Sequence, residues 1–195
     1  YDDLCHKPID QPSEEQYLMS SELYHEIVSQ RGSFEQLVAR IPGFKGYHEK
    51  NARREADTLL RRHLANELQQ LVDRFAKVEK RILDNGGLRF MSRTREVRTR
   101  LQSYVDRVRT ETPGYSGMWA QIKVDEDALD RLYAFDEAQF RYKLKLDTAI
   151  MKLEDSVKDN EDFSDEVQAV EDAANEAIEA FKLREDVILR LNDTL

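Results

Sequence analysis

Residues that break helices are scarce in this chain: seven glycines and four prolines among 195 residues. A compact α/β domain needs more glycine for its turns, so composition points away from that class. A single cysteine, Cys5, excludes a disulfide framework within the chain and fits a reducing compartment. Apolar runs last only a few residues, far short of the roughly 20 that span a bilayer. No signal peptide is visible, and a cytoplasmic location is expected. The first residue is Tyr1 rather than Met, which is expected where an N-terminal piece has been removed or was never included.

What the chain does have is charge. Charged residues make up 35% and apolar ones 40%, with a net charge of −9. High charge with few breakers describes long solvated helices; the regular spacing of the apolar residues argues against disorder. The charge is segregated. Residues 1–40 carry 3 basic and 8 acidic side chains, 41–124 carry 18 and 10, and 125–195 carry 9 and 21. The order is acid, base, acid.

Along the chain, Ser13 and Gln16 form a capping box for a helix bearing Tyr17, Leu18, Met19, Leu23, Tyr24, Ile27 and Val28, stopped near Gly32. Ser33 and Gln36 open a short second helix with Phe34, Leu37, Val38 and Ile41. The longest stretch runs from about His48 to Leu83, with Ala56, Leu60, Leu64, Leu68, Leu71, Phe75, Val78 and Ile82 on one face. Asn85-Gly86-Gly87 marks a reversal. From Leu88 to Thr112, Phe90, Thr94, Val97, Leu101, Tyr104 and Val108 follow a heptad. A further helix from about Val124 to Lys158 keeps the frame with Leu129, Leu132, Leu146, Ile150, Leu153 and Val157. Asp136, Gln139 and Lys143 interrupt it, while Tyr133, Phe135, Phe140 and Tyr142 widen its apolar face, so contact with two neighbours is expected. Ser164 is expected to cap the last helix, which repeats at Val167, Val170, Ala174, Ala177, Phe181, Arg184, Ile188 and Leu191, with Phe163 stapled onto Val167 or Gln168.

Two segments are alike. Ile41-Pro42-Gly43-Phe44-Lys45-Gly46-Tyr47 parallels Thr112-Pro113-Gly114-Tyr115-Ser116-Gly117-Met118, and each precedes a helix, a turn and a helix. This reads as a duplicated hairpin. The expected fold is therefore all-α: an elongated antiparallel helical bundle or coiled coil built from two long hairpins. An N-terminal helical arm spans 1–40, a basic hairpin 41–112 and an acidic hairpin 113–195, the last two forming one packed bundle.

No constellation of residues carries an enzymatic reading. Glu22 and His25 fit the Glu-x-x-His of ferritin-like iron sites, but no second such pair occurs. His25-Glu26 and His48-Glu49 lack the second histidine of a zinc protease. His6 beside Cys5 makes at most half a zinc site, and His63 is read as a hydrogen-bonding inner residue. Asp125-Glu126-Asp127 and Asp159 to Asp162 lack calcium-loop register. No catalytic, metal or cofactor site is therefore expected.

Two groups remain as candidate contacts. Phe44, Tyr47, Tyr115, Met118 and the single tryptophan, Trp119, gather on the two repeated loops, where they either seal the bundle end or receive a partner. The helix from Leu88 carries Arg89, Arg93, Arg95, Arg98, Arg100, Arg107 and Arg109. With Thr94 and Leu101 at position a, Arg93, Arg100 and Arg107 all fall at position g. They are expected to meet acidic flanks such as Glu166, Glu171 and Glu185; the alternative is phosphate or anionic lipid, which the net charge disfavours. The expected function is a non-enzymatic scaffold or interaction protein acting in an oligomer or larger assembly. A protein partner or self-association is favoured over nucleic acid or an anionic membrane surface; the runner-up is a polyanion-binding module acting through residues 89–109.

Overall fold

The structure, a computed structural model, describes residues 14–30, 37, 39–40, 50–110, 126–159 and 162–193. Five α-helices account for most of them: α1 (Glu14–Ser29), α2 (Lys50–Asp84), α3 (Met91–Thr110), α4 (Glu126–Asp159) and α5 (Ser164–Asp193). One 3-10 turn, Leu88–Phe90, leads into α3. No strand occurs among the described residues. At 1.5 Å per residue, α2 and α4 are each roughly 50 Å long.

α2 and α3 form one antiparallel hairpin, and α4 and α5 a second. The hairpins pack with α2 beside α4 and α3 beside α5, giving an all-α four-helix bundle. Contacts between them step forward together along both chains. Arg74 reaches Asp147, and Arg81 reaches Glu154; Arg93 meets Glu171, and Arg107 meets Glu185. The hairpins therefore lie side by side pointing the same way, with both turns at one end. α1 belongs to neither and packs against α4 and α5.

The core follows the sequence stripes closely. Leu60, Leu64, Leu68, Leu71, Phe75, Val78 and Ile82 of α2 are buried, as are Phe90, Thr94, Val97, Leu101, Tyr104 and Val108. Leu146, Ile150, Leu153 and Val157 meet Val167, Val170, Ala174, Ala177 and Phe181 across the second hairpin. The side chains of Ala56, Leu129, Leu132, Ile188 and Leu191 lie outside the described ones. So do Ser13, Gln16 and the segment 31–36, although Leu37 is helical and buried.

Chemistry at the turns explains why the chain reverses there. Gly86 has φ of +80°, a left-handed conformation that disfavours a Cβ. Gly87 donates to the Ile82 carbonyl at 2.8 Å. A Cβ on Gly87 would sit 2.6 Å from Ile82 Cγ2 and 2.8 Å from Ile82 O. The neighbouring turn packs directly onto it: Phe90 and Phe163 lie 5.0 Å apart between ring centres, and Asn85 Nδ2 donates to Val157 O at 2.9 Å.

Three details differ from the sequence reading. α1 ends at Ser29, short of Gly32, where Gln30 N–H donates to Ile27 O and Ser29 Oγ to Glu26 O. Asp162, not Ser164, supplies the cap acceptor of α5. Its Oδ1 takes the Ser164 backbone N–H at 3.2 Å and the Ser164 hydroxyl at 2.6 Å, because its carboxylate stands just ahead of the first turn. α4 contacts three helices rather than two, since α1 adds itself to α2 and α5.

Candidate functional site

The arginines of α3 divide into two groups by the face they occupy. Those at g positions turn toward α5. Arg93 bonds Glu171 and Gln168, Arg100 bonds the Asn175 carbonyl, and Arg107 bonds Glu185 while lying 5.7 Å from the Phe181 ring centre. Parallel neighbours with this register bring g side chains of one helix to acidic flanks of the other. Glu166 takes no arginine among the described residues; its Oε2 is buried without a hydrogen-bond partner. Arg98 turns the other way, to Glu79 of α2, with a 2.5 Å contact. Arg95 and Arg109 are exposed, and no partner for either occurs among the described residues. Arg95 lines a shallow groove with Met91, Ser92, Glu96, Thr99 and Arg100.

The same pairing runs along the other flank. Arg74 contacts Asp147 at 3.0 Å and Glu154 at 2.8 Å, and Arg81 contacts Glu154 at 2.8 Å. The Arg74 hydrogen bond, followed by the charges of Arg74 and Arg81, holds the Glu154 carboxyl below its ordinary value. At the turn end, Asp162 is lowered chiefly by the Ser164 hydrogen bonds, with Arg89 3.5 Å away.

Away from the turns, the bundle centre holds a polar layer. Arg184 Nε donates to Asp136 Oδ1 at 2.5 Å, the two side chains being 2% and 10% exposed. Tyr104 donates its hydroxyl to Gln139 Oε1 at 2.5 Å. Burial pushes the Tyr104 phenol well above its ordinary value, against the nearby charge of Arg184. The Gln139 Nε2 is buried without a hydrogen-bond partner. The two polar residues that interrupt the α4 heptad are thus met from α5 and α3, within the chain itself. Lys143, the third, reaches Glu67 at 3.4 Å.

Lys143 also opens onto a small cleft between α2 and α4. A cavity of about 270 Å³ is lined by Arg40, His63, Glu67, Phe140, Lys143 and Leu144. Arg40 forks onto Glu137 and lies 5.0 Å from the Phe140 ring centre. His63 sits 3.9 Å from Glu67 and 6.3 Å from the Phe140 ring, half-buried rather than enclosed. Arg40 faces Glu137 and Lys143 faces Glu67, so these two cations are already paired within the chain rather than aimed at a ligand. Sequence reasoning missed it, because Arg40 was read as part of a separate arm. The Lys143 interruption of the heptad was the available signal.

Glu22 and His25 are both exposed on α1, and no cluster of three metal-ligating groups occurs among the described residues. No described helix is long and apolar enough to cross a membrane. Phe44, Tyr47, Tyr115, Met118 and Trp119, together with Cys5, His6, His48 and Asp125, lie outside the described residues. Compared with family models, with curated proteins and with solved structures, the chain matches none.

Proposed function

We propose that this chain is a non-enzymatic helical scaffold, acting in the cytoplasm within an oligomer or larger assembly. The observation that carries the reading is the two-sided ladder of arginine pairs between the hairpins. The side chains that could have done binding chemistry instead hold two amphipathic hairpins in register, leaving a long rod with charged flanks. The pseudo-repeat in sequence and the coiled-coil spacing of its stripes fit the same purpose. Light scattering across a concentration series is the direct test, with mass expected to rise with concentration. A strict monomer at every concentration, with nothing retained from a host lysate, would sink the reading.

Binding of anionic lipid or nucleic acid through residues 89–109 is the second reading. It rests on the exposed Arg95 and Arg109, since Arg93, Arg100 and Arg107 are engaged by α5. Retention on anionic vesicles or DNA at low salt, lost in Arg95→Glu/Arg109→Glu, would support it. No retention at low salt ends it.

A further inference from the structure

The ladder of ion pairs between the hairpins holds them in step, but its spacing repeats. Arg74 and Arg81 of α2 are one heptad apart, as are Asp147 and Glu154 of α4; Arg93 and Arg107 are two heptads apart, as are Glu171 and Glu185. Slid one heptad toward the turn end, the acidic hairpin would bring Asp147 to Arg81 and Glu185 to Arg100. Slid the other way, it would centre Glu154 on Arg74, which it already touches at 2.8 Å, and bring Glu171 to Arg100. Exposed pairs of this kind differ little in worth from one another. The apolar stripes repeat at the same interval and accept the same slide.

The polar residues in the middle of the bundle do not repeat. Asp136 and Arg184 both belong to the acidic hairpin, so their pair travels with it. Two other contacts cross between the hairpins. Tyr104 of α3 donates to Gln139 of α4 at 2.5 Å, both residues being 2% exposed. Lys143 of α4 reaches Glu67 of α2 at 3.4 Å. The positions one heptad before and after Gln139 are Leu132 and Leu146; those around Lys143 are Asp136 and Ile150. A slide in either direction therefore sets the Tyr104 hydroxyl against a leucine and orphans the Gln139 oxygen, at the full desolvation cost of both. It also turns Glu67 toward another acid or an apolar side chain.

We propose that Gln139 and Lys143 are a register lock: their contacts with Tyr104 and Glu67 select which heptad of the acidic hairpin faces which heptad of the basic one. A polar residue at a core position fixes the alignment of a coiled coil in the same way, against a more stable but less specific apolar alternative. The lock sets the length of the rod and the order of charges along its flanks. It operates within one chain and so goes beyond the scaffold reading. Contacts at the turns, Asn85 to the Val157 carbonyl and Phe90 against Phe163, would part in the same slide. Val157 lies roughly 27 Å along α4 from Gln139, so the two sets can be cut separately.

One heptad moves α4 along α2 by about 10 Å, which a distance between two spin labels reads directly. The labels go on Cys5→Ser/Asn66→Cys/Lys158→Cys, at exposed sites of α2 and α4, with labelled chain diluted into unlabelled chain. With the core intact, one distance is expected. Tyr104→Phe/Gln139→Leu/Lys143→Leu restores the heptad; it should keep its helical signal and add a population displaced by most of that 10 Å, about a tenth of the signal or more. Tyr104→Phe/Glu67→Gln leaves α4 untouched and decides the matter if the first variant loses helical signal. Asn85→Ala/Phe163→Leu cuts the turn contacts and should keep the original distance. A single unchanged distance in the core variant that folds overturns the proposal, and so does a displaced population in the turn variant.

Discussion

Where a heptad would place leucine or isoleucine, the middle of this bundle holds Asp136, Gln139, Arg184 and Tyr104. A buried ion pair of this kind contributes little net stability, but removing one partner leaves a bare charge in a poor solvent. Arg184→Met should therefore destabilise the fold by about 3–5 kcal/mol in urea melts, whereas Asp136→Leu/Arg184→Met together should be neutral or stabilising by about 1–4 kcal/mol. Tyr104→Phe orphans Gln139 Oε1 and should cost about 1–3 kcal/mol at neutral pH. Its second effect appears in alkali. Burial raises Tyr104, and burial with Glu26 and Glu176 raises Tyr142 to about 12. Below the ordinary tyrosine value near 10 both folded and unfolded chains keep these phenols protonated. Above it the unfolded chain ionises first, so stability falls as pH rises through the window up to the raised folded values. Tyr104→Phe should make that fall shallower, measured as urea midpoint against pH.

At the level of elements, the turns show how local backbone and tertiary packing divide the work. Gly86 needs its left-handed φ, but a Cβ there meets nothing within 4 Å. Gly87 has an ordinary φ, yet a Cβ there would strike Ile82 and press on Phe163. Gly86→Ala should cost about 1–2 kcal/mol through conformation alone. Gly87→Ala should cost more, because Ile82 O belongs to the backbone and must move with its helix. Thermal melts of the two variants rank them directly, and equal cost would contradict the assignment. The reversal itself was legible from Asn85-Gly86-Gly87, but which glycine answers to packing was not, since Phe163 arrives from 76 positions further along the chain.

For the whole molecule, the charge asymmetry becomes a set of contacts between the two hairpins. Each exposed pair is worth roughly 0.2–1 kcal/mol and is screened by salt. Raising salt to about 1 M should lower stability by a few kcal/mol at most, a smaller effect than Arg184→Met. Acid should act on the same contacts. The Glu154 carboxyl is lowered in the folded chain, so the stability it adds is present above the ordinary carboxylate range and lost as pH falls through its folded value. Glu154→Gln should remove that increment at neutral pH and converge with the parent chain in acid, flattening the acid limb of the stability curve; an unchanged acid limb would mean the Arg74 contact is not made in solution.

The sequence by itself determined the helices, their faces and their turns. Helical periodicity and turn residues are local signals, and the buried positions of α2 and α3 coincide with the stripes read from them. It also placed Arg93, Arg100 and Arg107 on one edge, because heptad position depends only on spacing. Only the tertiary structure decided what those edges meet. Glu171 and Glu185 were legible as acidic partners, but Asn175 for Arg100 and the indifference of Glu166 depend on the relative shift of α3 and α5. In the same way, spacing marks Asp136 and Gln139 as interruptions of the heptad, but only the fold brings Arg184 and Tyr104 to meet them. Nor did any local pattern say that α1 would lie across α4 and α5. Its apolar face fits any shallow groove of alanines, and which groove it finds is settled by where the chain brings two distant helices together.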